Sequence, residues 1–342
     1  MENNKNMPVA KVEDLVIHYE GRENVVEAVN GVSFEINRAD TFGLVGETGA
    51  GKTTIALAMM GLLPFPPTHI IRGKVEIDGE DIQKMSNTQL QKIRGKKVSM
   101  IFQDPMTCLN PTKQVGKQIV EAIRHHQHLS AKEAKEQAIK YLKLVNIPNA
   151  EERAKQYPHE FSGGMRQRAM IAMALSCNPK VLIADEPTTA LDVTIQAQIM
   201  DLLAEIKEET NTAIILITHD LGVVAGMADR VAVMYAGKIV ETGAVEDIFY
   251  RNAHPYTQAL LKSLPTVDSD RTERLVSIAG TPPDLLNPPK GCAFAARCKH
   301  CMKICQEEQP PEFTVGEGHV ASCWLLHPDC PSAEERGEKI VD

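Results

Sequence analysis

Two glycine-rich stretches of this sequence have the residue types that bind phosphate groups. Each leads into a run of helix-forming residues, so free backbone N–H groups and the positive end of the helix dipole favour an anion there. The first stretch has the pattern Gly-x-x-x-x-Gly-Lys-Thr after a short apolar run, a strong indication of a nucleotide-phosphate loop. With the residue that follows it, the predicted loop consists of Gly46, Glu47, Thr48, Gly49, Ala50, Gly51, Lys52, Thr53 and Thr54.

The residue types in this loop predict a divided chemical task. Gly46 and Gly51 allow backbone N–H groups to face phosphate oxygens without an intervening side chain. Lys52 places a positive charge at the β- and γ-phosphates, and the hydroxyl of Thr53 is a suitable ligand for Mg²⁺. The alternative is a glycine-rich turn with an incidental lysine.

The second stretch lies over a hundred residues further along the chain and contains no lysine of this kind. A serine and two glycines form a backbone nest at the start of a helix, which favours an anion without a lysine. One chain with two phosphate-binding stretches, of which one contains the lysine, predicts a nucleotide shared between two copies of the fold. The predicted nucleotide contacts from this second stretch are Ser162, Gly163, Gly164 and Gln167.

Four further residues lie at or near the ends of three apolar runs that read as buried strands. Asp185 and Glu186 follow Val181–Ala184, where Asp185 is placed to hold Mg²⁺ and Glu186 to act as the base for an attacking water. Gln103 is predicted to reach Mg²⁺ or that water, and His219 to approach a γ-phosphate. The alternatives are a solvated strand end for the acidic pair and a structural hydrogen bond for the histidine.

Tyr19 precedes the phosphate loop by 27 residues, since the loop begins at Gly46. This position suits an aromatic ring that stacks on adenine. A core aromatic residue is the equally balanced alternative.

Composition limits the classes of protein to which the chain can belong. Of the 342 residues, 43% are apolar, and the net charge of −8 disfavours a nucleic-acid-binding protein. The apolar runs are far shorter than the roughly 18 residues that a membrane span needs. Because the polar N-terminus has no apolar signal core, we expect the chain in the cytoplasm.

Changes in pattern along the chain predict four segments: a disordered tail over 1–7, an α/β domain over 8–250, a C-terminal extension over 251–330, and a tail over 331–342. The α/β domain begins with antiparallel strands near Val9–His18 and Val32–Ile36. A helical subdomain is predicted over about 112–168, in which Ser130 and Glu133 form a capping box.

Taken together, these motifs resemble the nucleotide-binding subunit of an ABC transporter. The resemblance covers the two glycine-rich stretches, Gln103, Asp185–Glu186, Leu191-Asp192 and His219, with Met165 as one departure from the family pattern. It implies a P-loop ABC ATPase core with an antiparallel β subdomain and an inserted helical subdomain, plus a small irregular Cys-rich C-terminal domain. It also implies that two such subunits enclose two ATP molecules, that Asp192 lies at the dimer seam, and that the loop of Gln103 contacts a membrane-embedded partner.

The C-terminal extension narrows this resemblance. Similarity to dipeptide and oligopeptide permease ATPases lies in the stretch from His254 to Leu261, in Gly291-Cys292-Ala293-Phe294, in Arg297-Cys298 and Cys305, and in the region from His319 to Cys323. Such subunits pair with a related ATPase, or with a second copy in isolation, and with two integral-membrane permeases. An extracytoplasmic peptide-binding protein acts indirectly. The resemblance therefore implies a peripheral ATPase at the cytoplasmic face of the membrane that powers peptide import.

Four cysteines of this extension form a candidate metal site. Their spacing of x5, x6 and x17 differs from that of most zinc ribbons and suits a [4Fe–4S] cluster. Zinc and metal-free thiols remain alternatives, and Cys301, which departs from the family pattern, leaves the ligand set open. The predicted ligands are Cys292, Cys298, Cys305 and Cys323.

Two other functions stay open at this point. Nickel or an opine in place of peptide is compatible with the same ATPase, because the ATPase contacts no cargo. A soluble ABC-type ATPase that acts on DNA or ribosomes is the alternative from another class. The acidic net charge and the lack of a basic stripe disfavour that reading.

Overall fold

The computed structural model describes residues 8–189, 192–264 and 278–332. The predicted tail over 1–7 and Leu191 therefore lie outside the described residues, and of the predicted tail over 331–342 only residues 331 and 332 are described. Within the described part the strands are β1 (Ala10–Glu20), β2 (Val25–Ile36), β3 (Thr41–Val45), β4 (Thr68–Ile77), β5 (Glu80–Asp81), β6 (Val98–Ile101), β7 (Val181–Asp185), β8 (Ala213–Thr218), β9 (Arg230–Tyr235), β10 (Lys238–Ala244), β11 (Phe313–Gly316) and β12 (His319–Ala321).

The helices connect these strands and cover the central sheet. They are α1 (Lys52–Met59), α2 (Asn87–Ile93), α3 (Pro105–Cys108), α4 (Val115–His126), α5 (Ala131–Leu144), α6 (Ala150–Arg153), α7 (Gly163–Leu175), α8 (Val193–Thr210), α9 (Leu221–Met227), α10 (Val245–Tyr250), α11 (Pro255–Lys262) and α12 (Lys303–Glu307). In the described residues, none of these helices is long and apolar enough to span a membrane.

Two sheets form the framework. The smaller sheet has the order β2-β1-β4-β5, and its antiparallel pairing confirms the interpretation of the alternating N-terminal pattern. The larger sheet has the order β11-β12-β10-β9-β3-β8-β7-β6, in which β9, β3, β8, β7 and β6 run parallel. The predicted α/β architecture with a largely parallel core is therefore present.

Strand β8 shows why the central sheet is buried on both faces. Its side chains alternate between two cores: Ile214 and Leu216 pack with the helices that follow β6, and Ile215 and Ile217 pack toward α1 and the smaller sheet. Continuous apolar runs are typical of such doubly covered parallel strands.

The segment between β6 and β7 is helical, as the pattern predicts. The predicted capping box is present at the start of α5, where Ser130 accepts the N–H of Glu133 and the Glu133 carboxylate accepts the N–H of Ser130. Ala134, Ala138 and Leu142 lie on one buried face of this helix. The exact limits of a separate helical subdomain stay a prediction.

The expectation of an irregular C-terminal domain is wrong for one part of the extension. Strands β11 and β12 form a hairpin that continues the central sheet through the pairing of β12 with β10. The buried carboxylate of Glu241 on β10 accepts a hydrogen bond from His319 on β12 at 2.8 Å. These strands have four and three residues, too short for an alternating pattern to indicate a strand.

Candidate functional site

The first glycine-rich stretch connects the buried strand β3 to helix α1. At Gly46 a Cβ atom would lie 2.1 Å from the carbonyl oxygen of Met234, and at Gly51 it would lie 2.4 Å from that of Ala28. Both glycines also have positive φ angles, so only glycine fits this loop without a backbone shift. The close approach of neighbouring backbone fixes the path of the loop.

The lysine of this loop is inside the protein. Lys52 Nζ donates to the carbonyl oxygens of Gly46 at 2.7 Å and Glu47 at 3.0 Å. Burial lowers the pKa of Lys52, while Glu186, Asp185 and Glu47 raise it in part. The ammonium group is therefore held beside the loop backbone, where an anion would meet it.

Two oxygen-bearing side chains meet where α1 begins and β7 ends. The hydroxyl of Thr53 donates to Asp185 Oδ1 at 3.2 Å, and Asp185 is buried at the end of β7. Burial raises the pKa of Asp185, against the lowering effect of Thr53 and Lys52. A hydroxyl and a carboxylate side by side are the hard oxygen ligands that Mg²⁺ prefers, so these residues fit the predicted metal.

Glu186 is the centre of the predicted catalytic group. Its carboxylate accepts from Gln103 Nε2 at 2.8 Å and from the Thr189 hydroxyl at 3.0 Å, and its other oxygen lies 3.2 Å from His219 Nδ1. The backbone of Glu186 has a positive φ of 47°, which is uncommon for a residue with a side chain. The structure thus brings Gln103, Glu186 and His219 together. It adds Thr189, which the sequence analysis did not identify.

Tyr19 lies near the phosphate loop through its hydroxyl, which forms a 3.2 Å hydrogen bond with Thr54 Oγ1. This bond places the ring next to the start of α1. Adenine stacking by Tyr19 stays a prediction.

The second glycine-rich stretch is arranged differently. Ser162 caps α7 by accepting the N–H of Met165 at 3.3 Å, and Ser162 and Gly163 are exposed. Asp192 likewise caps α8 by accepting the N–H of Ile195 at 2.9 Å. Gln167 is buried, with its amide donating to the carbonyl of Pro187. Gln103 and His219 are joined to Glu186 by hydrogen bonds, whereas the side chains of Ser162 and Asp192 accept hydrogen bonds from the first turns of their own helices. A nucleotide contact by Ser162, Gly163, Gly164, Gln167 or Asp192 stays a prediction.

Two known protein families match separate parts of this chain. The profile of the family described as "ABC transporter" matches residues 29–189, and that described as "Oligopeptide/dipeptide transporter, C-terminal region" matches residues 240–305. The chain is 54% identical to the oligopeptide transport ATP-binding protein OppD of Bacillus subtilis (strain 168), over 95% of this chain and 90% of the relative. This chain belongs to the ABC transporter family.

Other similarities agree with this family. The dipeptide transport ATP-binding protein DppD of the same organism is 51% identical, with 93% of this chain and 94% of the relative covered. Among solved structures, a dimeric post-hydrolysis state of the ATP-binding cassette MJ0796 bound to ADP and Pi has a TM-score of 0.62 at 26% identity. That alignment covers 69% of this chain and 98% of the other. The expected ABC cassette fold is confirmed.

In this ABC cassette the C-terminal extension contacts the phosphate loop directly. Arg297 donates to both carboxylate oxygens of Glu47, at 2.7 and 2.9 Å, and the backbone N–H of Glu47 donates to the Tyr256 hydroxyl at 3.0 Å. About 250 residues separate Arg297 from Glu47. Only the family resemblance singled out the segments containing Tyr256 and Arg297, and no local pattern indicates this contact.

The four predicted cysteine ligands line one small cavity of about 10 Å³, together with His254, Phe294 and Trp324. They are free thiols, and burial raises the pKa of Cys298 to about 11 and that of Cys323 to about 12. Among the described residues, no three His, Cys, Asp or Glu side chains form a group that could hold a metal ion. The sequence thus predicts the gathering of the thiols, whereas the arrangement forms no metal-binding group.

Proposed function

We propose that this chain is the ATP-hydrolysing subunit of an ABC transporter that imports dipeptides or oligopeptides. Identity of 51–54% to peptide-transport ATP-binding proteins, over at least 93% of the chain, carries the transport part of this conclusion. The cluster of Gln103, Glu186 and His219 next to Lys52 and Asp185 supports the hydrolytic part.

The residues of the site divide the chemistry of ATP hydrolysis. Lys52 and the loop N–H groups bind the phosphates. Thr53 and Asp185, with Gln103 in reach, would hold Mg²⁺, which would offset phosphate charge. Glu186 is placed to orient and deprotonate the attacking water. Gln103, Thr189 and His219 fix its carboxylate through three hydrogen bonds.

A second cassette completes the site in this proposal. The exposed Ser162 and Gly163 present the start of α7 outward, where the γ-phosphate of ATP bound to a second, homologous subunit meets free N–H groups. Asp192 caps a second exposed helix start, which supports its predicted place at the dimer seam. The partner is a related ATPase, or a second copy when the chain is isolated.

A groove beside the Gln103 loop supports docking of the membrane permeases. It has a volume of about 580 Å³ and is lined by residues of the sheet edge and of α4 and α7, among them Phe102, Ala122, Met170 and Met173. Gln103 follows Phe102 in the chain and donates a hydrogen bond to Glu186. A permease segment in this groove can therefore shift Gln103 and, through it, the Glu186 carboxylate. In this proposal the chain is a peripheral subunit at the cytoplasmic face of the membrane. The peptide-binding protein acts through the permeases.

The four gathered thiols support a further part of the proposal, a [4Fe–4S] cluster. Thiolates are the usual ligands of such clusters, and the cluster would cross-link the loops of the extension. A cavity of about 10 Å³ holds no more than one water molecule, so cluster binding requires the thiols to move apart. Zinc and metal-free thiols are the competing states.

Transport by the full complex tests this function. Membrane vesicles that contain the chain with its permeases and partner ATPase should accumulate radiolabelled tri-L-alanine only with ATP and the binding protein. Glu186→Gln in this chain should strongly reduce uptake. Uptake of a nickel chelate or an opine in place of the peptide would assign the cargo to another class, and ATP-independent uptake would contradict the function itself.

A further inference from the structure

The side chains of Arg297 and Glu47 form a polar link between the C-terminal extension and the phosphate loop. The two N–H···O distances, 2.7 and 2.9 Å, describe a bidentate pair. The side chain of Arg297 is 5% exposed and that of Glu47 is 25% exposed. The pair is therefore largely shielded from water, where charge interactions are strong.

Other contacts fix the guanidinium group independently of Glu47. Arg297 Nε donates to the carbonyl of Ala279 at 3.0 Å, and Nη1 donates to the Tyr235 hydroxyl at 3.1 Å. The group also stands over the rings of Tyr235 and Phe294, at 5.7 and 5.9 Å. Arg297 is thus held in place by contacts other than Glu47, and Glu47 connects the phosphate loop to it.

The backbone of Glu47 is held as well. Its N–H donates to the hydroxyl of Tyr256 at 3.0 Å, and its carbonyl accepts from Lys52 Nζ at 3.0 Å. The residue that begins the turn of the phosphate loop therefore has its N–H, its carbonyl and its carboxylate all bound. Two of these three attachments come from residues C-terminal to β10.

Electrostatics gives the arrangement a function. Glu47 places a carboxylate in a loop that must accept a highly anionic triphosphate, and a half-buried carboxylate without a partner would repel that ligand. Arg297 cancels this charge. Its guanidinium has no role in contacting the phosphates, because all five of its N–H groups already donate, to Glu47, Tyr235 and the carbonyls of Ala279 and Ile278.

We propose that Arg297 is a positioning residue of the ATP site, which holds Glu47 in place and neutralises its charge so that the phosphate loop binds the triphosphate. The C-terminal extension is then a part of the ATP site rather than an appendage to it. This inference rests on the proposed ATPase function.

Equilibrium binding of MgATP to the purified full-length chain tests the inference. Arg297→Ala should raise the Kd about tenfold, because it leaves the Glu47 carboxylate without its partner. Adding Glu47→Gln to that variant should return the Kd to within about threefold of the unmodified chain, because the repelling charge is gone. Glu47→Gln alone should have an effect of threefold or less.

A matched pair elsewhere in the chain provides the control. Arg72 forms a similar bidentate pair with Asp14, at 2.7 and 3.2 Å, on the exposed face of the smaller sheet. Arg72→Ala should leave the Kd unchanged. Should Arg297→Ala not yield folded protein by circular dichroism, Arg297→Lys, which keeps the charge and loses the bidentate geometry, should raise the Kd about threefold.

Two results would overturn the inference: an unchanged Kd in Arg297→Ala, or a double variant that binds as weakly as Arg297→Ala. The second result would mean that Arg297 acts only on the folding of the extension. Failure of the proposed ATPase function looks different, because then the unmodified chain and Lys52→Ala would bind MgATP equally weakly.

Discussion

The ATP site and the cysteine cavity of this chain are positioned by opposite kinds of structure. Each of four adjacent parallel strands ends at a residue of the ATP site or next to one: Gly46 after β3, Gln103 near the end of β6, Asp185 at the end of β7 and His219 after β8. The cysteines instead come from irregular or short segments: Cys292 lies in a loop and Cys298 directly follows the 3-10 helix Ala295–Arg297. Cys305 lies on α12, and Cys323 follows β12.

This difference decides how firmly each site is formed without its ligand. Strand ends of one buried sheet are fixed by the backbone pairing, so the side chains meet within hydrogen-bond distance of Glu186. The cysteine-bearing segments have few such constraints, and their thiols gather without forming a metal-binding group. The side chains of the proposed ATP site are therefore held together by the sheet, whereas the four thiols lie close together without such a framework.

The largest effect is expected when the chemistry of Glu186 is changed while the shape of its side chain is kept. Glu186→Gln should lower the kcat of the assembled transporter by about a hundredfold or more, since removal of a general base costs that much. Binding of MgATP should be retained, because Lys52 and Thr53 remain. The measurement is steady-state phosphate release together with equilibrium binding.

An exposed glutamate on α8 supplies the control for this variant. Glu205→Gln makes the same chemical change away from the site and should leave the kcat within twofold of the unmodified value. Near-normal hydrolysis by Glu186→Gln would contradict the base assignment.

Sequence patterns single out most residues that the structure brings together at the proposed ATP site, for a physical reason. Phosphate binding demands glycines, a lysine and a hydroxyl at fixed spacing within one loop, and the strand-end residues follow apolar runs of the right length. The residues of the phosphate loop and of the strand ends can therefore be recognised from the local sequence. Thr189 cannot, because only the turn after β7 brings its hydroxyl to Glu186.

Long-range contacts and very short strands could not be predicted in this way. The pairing of Arg297 with Glu47 depends on how the extension folds back on the cassette, and nothing in either local sequence reports it. Strands β11 and β12 are stabilised by pairing with β10 rather than by their own pattern. The buried pair of Glu241 and His319 at that junction is equally invisible in one sequence.

The metal content of the purified protein tests the cysteine site separately from the ATP site. Protein purified without oxygen should contain about four iron atoms per chain if the four thiols hold a [4Fe–4S] cluster. Cys323→Ser should then lose most of the iron and lower the Tm by about 5 °C, while MgATP binding changes little. The separation of the two effects follows from the sheet framework of the ATP site.

The control for the cysteine variant is Cys108→Ser, a half-buried cysteine outside the extension. It should keep the iron content unchanged. Colourless protein with one zinc per chain, or with no metal at all, would assign the gathered thiols to one of the two competing states instead.

The smallest expected effect concerns His254, which lines the cysteine cavity and caps α11. It is 1% exposed, and its Nδ1 accepts the N–H of Tyr256 at 3.0 Å, which requires the neutral ring. The backbone N–H of His254 donates to the buried Glu241 carboxylate at 3.1 Å. The nearby thiols of Cys298 and Cys323 are neutral because burial raises their pKa. Burial lowers the pKa of His254 to about 4, from an ordinary value of 6.5.

The sign of the resulting pH effect follows from which state binds the proton. Between about pH 6.5 and pH 4 the unfolded chain protonates His254 and the folded chain does not, so stability falls as the pH is lowered through that window. From pH 6.5 to pH 5 the loss is about 2 kcal/mol. His254→Asn, which keeps a capping acceptor and does not titrate, should lose about 2 kcal/mol less than the unmodified chain over this range.

Urea unfolding at the two pH values measures this difference, with the exposed His128→Asn as a control that should behave like the unmodified chain. Equal pH dependence in His254→Asn and the unmodified chain would show that the histidine is already accessible to protons. The cysteine cavity would then be open to water in the folded protein. In that case water would also reach the contact between His254 and Glu241 on β10. The part of the chain that lacks a water-excluding framework would then include the junction of the extension with β10, as well as the cysteine-bearing segments.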